Sequence, residues 1–197
     1  MSLILASSSP YRRELLQRLR LPFQSLAPDI DEHPLPGETP RLLARRLAQA
    51  KARRILADHP GALVIGSDQV ADFNGRPMGK PGSYPAAQAQ LQAFSGHTVV
   101  FHTAVCVCAE DDSLVEDVPT ECRFLPLTPA QIQHYLRTEQ PFDTAGSAKA
   151  EALGIALMAQ MRSDDPTALI GLPLIAVCRM LRAFGIDPLS PPPTAPQ

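Results

Sequence analysis

Short apolar runs and capped helical segments alternate along the first seventy residues, and this order favours the α/β class. The run "SLILA" at 2–6 is typical of a short buried strand, and Ser9 followed by Pro10 is typical of a helix start, here over 10–19. The same signals predict three more elements: a strand at 23–27, a long helix over 39–57 and a strand over 62–68. Because strands and helices alternate in this order, we expect helices packed on a sheet.

The second half of the chain predicts antiparallel pairing. Asn74-Gly75 in "FNGRP" is a hairpin signal, and two alternating stretches over 97–109 and 114–125 flank the turn "EDDS". Helices are predicted over 85–94, over 128–137 and from Pro173 to the stop at Gly185.

No linker divides the chain, so we expect one α/β domain over 1–188 with two lobes. The segment 141–158 combines turn residues with a short apolar run, and no regular element is predicted there. The last residues, 189–197, are rich in proline, and we expect this tail to be disordered.

Composition and charge exclude several classes of protein. The 197 residues carry a formal net charge of −2, so no overall basic field would attract a nucleic acid polymer or an anionic membrane surface. No apolar run approaches the roughly 20 residues that cross a bilayer, and "MSLILASSSP" lacks the basic start of a signal peptide. The cysteines, including Cys106 and Cys108 in "CVC", are interpreted as core residues of a cytoplasmic protein, with a metal site or redox pair as the alternative.

The first helix carries an unusual charge at its start. The partial positive charge of a helix N-terminus favours Asp or Glu, yet Arg12 and Arg13 stand there, each costing roughly 0.3–1 kcal/mol when exposed. Backbone N–H groups at such a junction, joined by the hydroxyls of Ser7 and Ser8 and by two guanidinium groups, are typical of a phosphate site. A solvated helix start with surface arginines is the alternative.

Lys51 interrupts an apolar row on the long helix. Leu43, Leu47 and Ile55 are spaced four apart and share one side of the helix with Lys51. A lysine in such a row either extends outward to solvent or reaches an anion. Lys80, in "GKP", is a weaker candidate for the same role, since lysines in turns are usually solvated.

Asp68 ends the apolar run "LVIGSD", and open α/β sheets often bind ligands at such strand ends. An ordinary turn residue is the alternative. Asp29, Asp31 and Glu32 supply further carboxylates of the kind that suits Mg²⁺ or Mn²⁺. This set of residues fits the hydrolysis of a phosphoanhydride. The cations would bind phosphates, the acids would bind a metal, and one carboxylate would activate water.

Eight segments, in this order, resemble the Maf/Ham1-type nucleotide pyrophosphatases along nearly the whole chain, up to Pro188. They are "LILASSSPYRRELL", "DIDE", "LARRLAQAKA", "IGSDQVA", "GKP", "SGH", "AGSAKAEALGI" and "TALIGLPLIAV". The resemblance implies a mixed twisted sheet flanked by helices, with a central cleft between two lobes. It also implies a homodimer, a divalent cation (Mg²⁺ or Mn²⁺), and attack at the α-phosphorus of a nucleoside triphosphate, which yields a nucleoside monophosphate and pyrophosphate.

The resemblance also implies a role for each matching residue. Asp68 would be the general base and a metal ligand, with Glu32 as the second ligand. The residues expected to bind phosphate are Ser7, Ser8, Arg12, Arg13, Lys51 and Lys80. The residues expected to select the base are Tyr11, Gln69 and Glu151.

These three base-selecting residues resemble the subgroup that acts on 7-methyl-GTP, which carries an aromatic residue (often Trp), Gln and Glu. Members that act on dTTP and UTP usually carry Arg in place of Tyr11 and Thr in place of Gln69. A methylated guanine is cationic and suits an aromatic ring, and Glu151 could accept from its N1–H and its amine. The alternatives are a pyrophosphatase that prefers dTTP, UTP or CTP, and a nucleotide-binding regulator of septum formation.

Overall fold

The computed structural model describes residues 2–190, which form a mixed seven-stranded sheet with five α-helices. The strands are β1 Leu3–Ala6, β2 Gln24–Leu26, β3 Leu63–Phe73, β4 Arg76–Met78, β5 Thr98–Cys108, β6 Ser113–Phe124 and β7 Met158–Arg162. The helices are α1 Pro10–Gln17, α2 Pro40–Asp58, α3 Tyr84–Phe94, α4 Pro129–Glu139 and α5 Leu174–Ala183, with 3-10 turns at Ala145–Ser147 and Leu153–Leu157. The predicted α/β class is confirmed. The predicted proline-rich tail lies outside the described residues from position 191 onward.

The sheet follows the spatial order β2-β1-β3-β5-β6-β7. β1 pairs in parallel with β2 and β3, and the remaining pairs are antiparallel. β4 returns onto β3 through the predicted hairpin, in which Asn74 and Gly75 have φ of 55° and 78°. None of the described helices is both long enough and apolar enough to span a membrane.

One edge of β3 is only partly paired with a neighbouring strand. The gap between the strands on that edge leaves the middle of β3 accessible. β5 pairs with β3 from Val64 to Asp72 on one side. On the other side β1 ends opposite Gly66, and β4 begins pairing at Ala71. The four residues 67–70 therefore have no strand beside them on that side.

Helices cover both faces of the sheet. On one face α2 packs its buried alanines and leucines against β1 and β3. On the other face α1 and α5 pack against the first half of β3, and α3 and α4 pack around Phe94, Phe101 and Phe124 at its far end. Ser67 and Gln69 lie between these two apolar clusters, because alternate residues of a strand point to the same face.

Two elements differ from the sequence prediction. Asp68 lies in the middle of β3 rather than at the end of a strand, because pairing with β5 extends β3 beyond the apolar run. β7 was not predicted, since nearly all of its residues are exposed and its sequence lacks the alternation of a half-buried strand. Pairing with β6 alone forms β7 at the sheet edge.

Gly66→Ala is expected to lower the free energy of unfolding by about 1–3 kcal/mol, because the added methyl group forces α2 away from the sheet. A Cβ at Gly66 would lie 2.2 Å from the Ala48 carbonyl oxygen and 2.7 Å from the Ala52 nitrogen. Gly79→Ala is the matched control, since a Cβ there meets nothing within 4 Å. Urea denaturation measures both variants, and equal midpoints would contradict the expectation.

Candidate active site

A cavity of about 710 Å³ opens at the break in the sheet. Its walls come from the β1–α1 turn, the middle of β3, the segment after β4, residues 143–151 and the loop 169–171. The site residues predicted from the sequence that line it are Ser7, Ser8, Tyr11, Arg12, Glu32, Lys51, Asp68, Gln69, Lys80 and Glu151. Lys80, Ser8 and Glu151 are exposed at its rim, whereas Ser7, Lys51 and Asp68 are buried at its floor.

Arg13 is the one predicted site residue that the structure does not bring to this cavity. Its side chain is exposed and lines a separate shallow depression with Gln17 and Phe23. Successive residues of a helix point about 100° apart, so Arg12 and Arg13 face different directions. The two arginines that the sequence treats alike are therefore not equivalent in the fold.

Lys51 connects two carboxylates at the floor of the cavity. Its Nζ lies 2.6 Å from Oδ1 of Asp68 and 2.7 Å from Oε1 of Glu32. Lys51 is 6% exposed and Asp68 7%, whereas the Glu32 side chain is about half exposed. Of the two alternatives that the sequence left open for this lysine, extension to solvent or contact with an anion, the structure shows the second.

The surroundings shift the two carboxylates in opposite directions. Burial raises the pKa of Asp68, and the nearby charge of Glu32 adds to the shift, against the opposing effects of Lys51 and Arg12. Burial would also raise the pKa of Glu32, but its hydrogen bond and charge interaction with Lys51 outweigh that effect and lower the pKa. Asp68 is therefore the stronger base of the two.

Arg12 is held rigidly between the start of α1 and the loop before α5. Ser9 caps the helix by accepting a hydrogen bond from the Arg12 N–H, and the Arg12 Nε donates to the Gly171 carbonyl at 2.8 Å. Burial lowers the pKa of this guanidinium, while Asp68 and Glu32 oppose that shift. Arginine remains charged in proteins, so a fixed cation faces the two acids across the cavity.

Polar side chains of β3 and β5 form hydrogen bonds to the loop 168–171. The Ser67 hydroxyl donates to the Gly171 carbonyl at 2.9 Å, and the Thr103 hydroxyl donates to the Ala168 carbonyl at 2.9 Å. Gln69 Nε2 lies 2.8 Å from the Leu169 carbonyl oxygen, 3.2 Å from that of Ala168 and 3.0 Å from the Thr103 hydroxyl. Because the loop and Thr103 take both amide hydrogens of Gln69, this side chain can offer a ligand only its oxygen.

The other end of the cavity is lined by Tyr11, Glu151 and Asp143, and Lys149 lies beside it; the sequence did not single out Asp143 or Lys149. Asp143 lines the cavity, and Lys149 reaches both Asp143 and the Tyr11 ring. Lys149 stands in "AGSAKAEALGI", the segment that contains Glu151. Its spacing of two from Glu151 was the available signal, but only the fold brings it next to Tyr11.

The carboxylates suit a divalent cation that a substrate completes. Asp68 and Glu32 converge on one point, Lys51 Nζ, so both can reach a shared ligand. Within residues 2–190 no group of three or more His, Cys, Asp or Glu side chains could hold a metal ion alone. Mg²⁺ commonly takes one or two carboxylates together with substrate phosphates, which is a donor set that this cavity can supply.

Comparison with known families decides how the chain is classified. The model of the family described as "Maf-like protein" matches residues 2–184. The chain belongs to the Maf family. Residues 2–184 include every residue discussed above as part of the cavity, so the family match covers the whole cavity lining.

The chain is also similar to several curated proteins and to one solved structure. Proteins named "7-methyl-GTP pyrophosphatase" are 61% identical in Bordetella pertussis, covering 95% of this chain and 94% of that protein, and 57% identical in Burkholderia thailandensis, covering 98% and 92%. The relative of that name in Polaromonas sp. is 59% identical, covering 93% and 85%. A solved structure of the Staphylococcus aureus Ham1 protein is 14% identical with a TM-score of 0.46, covering 64% of this chain and 73% of that one.

Arg12→Ala is expected to weaken binding of a nucleoside triphosphate by this Maf protein about tenfold or more, as loss of a hydrogen-bonded charge predicts. Arg13→Ala is expected to change the Kd by no more than about threefold, because an exposed charge contributes little. Isothermal titration calorimetry at fixed ionic strength measures both. Equal weakening by the two substitutions would contradict the different positions of the arginines.

Proposed function

We propose that this Maf protein hydrolyses 7-methyl-GTP to 7-methyl-GMP and pyrophosphate, and so removes a modified nucleotide from the pool. The observation that carries the proposal is the cavity itself, with the buried Lys51–Asp68 pair at one end and Tyr11 and Glu151 at the other. The names of the relatives at 57–61% identity support the same substrate.

The end of the cavity near Asp68 suits the triphosphate. Arg12, Lys51 and Lys80 offer cations to its oxygens, and the start of α1 adds a favourable helix dipole. Asp68 accepts a proton from a water molecule as the water oxygen attacks the α-phosphorus. The bond from the α-phosphorus to the oxygen that bridges to the β-phosphate breaks, and pyrophosphate leaves with that electron pair.

Glu32 and Asp68 are the residues that would hold Mg²⁺ or Mn²⁺, in agreement with their convergence on Lys51. Such an ion, when bound, supplies positive charge to the phosphate oxygens during the displacement. Arg12 supplies positive charge from across the cavity, because its bond to the Gly171 carbonyl holds the guanidinium in place.

The end near Glu151 suits a methylated guanine. Tyr11 offers an aromatic face to a cationic base, and the Glu151 carboxylate can accept from the N1–H and the exocyclic amine. Glu151 is exposed in the structure, so it is free to turn toward a bound base.

We also propose a homodimer in the cytoplasm, on the strength of the family resemblance. The four cysteines are free thiols, which suits a reducing compartment. Analytical ultracentrifugation tests the dimer, and fractionation of cells that express a tagged chain tests the location.

A nucleotide panel tests the proposed substrate. With Mg²⁺ or Mn²⁺ we expect the highest kcat/KM for 7-methyl-GTP, with 7-methyl-GMP and pyrophosphate as products. The highest kcat/KM for dTTP, UTP or CTP would replace the proposal with the pyrimidine alternative.

Asp68→Asn is expected to lower kcat about a hundredfold or more with little change in KM, because the general base is lost. Asp58→Asn, an exposed partner of Arg54 on α2, is the matched control for loss of one carboxylate. Near-normal turnover by Asp68→Asn would remove the general-base role. Loss of turnover by Asp68→Asn with an unchanged effect on cell division would favour the regulator of septum formation.

In the metal-free protein Asp68 is expected to ionise at a higher pH than an ordinary aspartate, because burial raises its pKa. Glu32→Gln should move this ionisation to lower pH, since the Glu32 charge contributes to the upward shift and its removal leaves Lys51 to Asp68. NMR titration of the side-chain carboxyl carbons measures both proteins. The same midpoint for Asp68 in the two would contradict this account.

A further inference from the structure

Lys149 is a half-buried cation beside the base end of the cavity. Its Nζ lies 3.3 Å from Oδ1 of Asp143 and 5.9 Å from the centroid of the Tyr11 ring, and its side chain is 14% exposed. Ala148 and Glu151, on either side of it in the chain, both line the cavity. The phosphate end already has three cations of its own, so Lys149 is not needed for charge there.

The main chain of Lys149 is fixed on two sides. Its N–H donates to the hydroxyl of the buried Tyr135 at 3.0 Å, and its carbonyl accepts from the Ala152 N–H at 3.1 Å. Gly154 packs directly against it, because a Cβ on Gly154 would lie 2.4 Å from the Lys149 carbonyl oxygen. The ammonium group is therefore presented from a rigid support.

The ammonium group also keeps its charge and has a donor to spare. Burial alone would lower the pKa of Lys149, but hydrogen bonding to the Tyr11 hydroxyl and to Asp143 outweighs that effect and raises the pKa. An ammonium group has three N–H donors, and among the described residues Asp143 is its ion-pair partner. A donor is therefore available for a ligand between Tyr11 and Glu151.

The donors and acceptors at this end match one type of purine edge. A guanine presents the O6 acceptor beside its N1–H and amine donors, whereas adenine presents an amine at position 6. Lysine is a common donor to O6 of guanine, and Glu151 provides the acceptor for the other two groups. Asp143, Glu151 and Lys149 together carry a charge of −1, which complements a base of charge +1.

We propose that Lys149 is a specificity-determining residue that donates a hydrogen bond to the 6-oxo group of the purine, while its contacts with Asp143 and Tyr11 hold the ammonium in place. The inference rests on the proposed function, since it assigns the recognition of one group of that substrate. It divides the base edge between two residues, with Lys149 for O6 and Glu151 for N1–H and the amine.

Two substrates that differ at position 6 and at N1 test this inference. They are 7-methyl-GTP, which has O6 and N1–H, and the triphosphate of 7-methyl-2,6-diaminopurine riboside, which has a 6-amino group and an unprotonated N1. The two have the same charge and the same 2-amino group, so the part of the preference that belongs to O6 is measured by substitution of Lys149. We expect the wild-type protein to favour the 6-oxo substrate by about tenfold or more in kcat/KM, mainly through KM, as for a hydrogen bond to a charged group. Equal kcat/KM for the two substrates in the wild-type protein overturns the proposal without any variant.

Lys149→Met removes the ammonium but keeps most of the side-chain volume, and Lys149→Arg keeps a charged donor. We expect the 6-oxo preference to fall about tenfold in Lys149→Met, which leaves only the part that Glu151 contributes through N1–H. It should be largely kept in Lys149→Arg, with kcat little changed. Arg137→Met, which removes one exposed cation from α4, is the matched control and should keep the full preference. An equal loss of kcat/KM for both substrates in Lys149→Met would indicate a purely structural role and overturn the proposal.

The two proposals fail in different ways. If the wild-type protein does not hydrolyse 7-methyl-GTP, the proposed function itself is wrong. If the wild-type protein prefers 7-methyl-GTP but Lys149→Met keeps the 6-oxo preference, only the role of Lys149 is wrong.

Discussion

The buried ion pair between Lys51 and Asp68 is the interaction on which the rest of the site depends. Lys51 comes from α2 and Asp68 from β3, so the pair forms only where the helix touches the strand. Gly66, on the same face of β3 as Asp68, permits this contact because any Cβ there would meet the main chain of α2. Burying two charges costs several kcal/mol per ion, so the pair is explained better by chemistry than by stability.

The gap in strand pairing beside β3 makes this ion pair accessible from the cavity. β1 ends opposite Gly66 and β4 begins opposite Ala71, so the cavity reaches the strand in the interval that contains Asp68. A continuous strand along that edge would leave the ion pair sealed between helix and sheet. β1 is short because the chain turns into the Ser-rich segment and α1 directly after it. This short length is as important for the access to Asp68 as any charged residue.

Local sequence patterns are sufficient for residues whose position depends on one element. The Ser9-Pro10 helix start and the interruption that Lys51 makes in an apolar row each belong to a single helix, and both lie in the cavity wall. Contacts between segments that are distant in the chain cannot be predicted from such local patterns. Asp68 lies within β3 because β5 extends the strand, and Lys149 meets Tyr11 only through the fold.

The loop 168–171 connects the two ends of the cavity physically. The Gln69 amide donates to the carbonyls of Ala168 and Leu169. Two residues further along the loop, the Gly171 carbonyl accepts a hydrogen bond from Arg12. Gln69 and Arg12 are thus bonded to the same short loop. Both amide hydrogens of Gln69 are used in hydrogen bonds to this loop and to Thr103. A different residue at position 69 would therefore change the loop that positions Arg12 as well as the side chain that a base could contact. The positions of Gln69 and Arg12 in the cavity are therefore not independent.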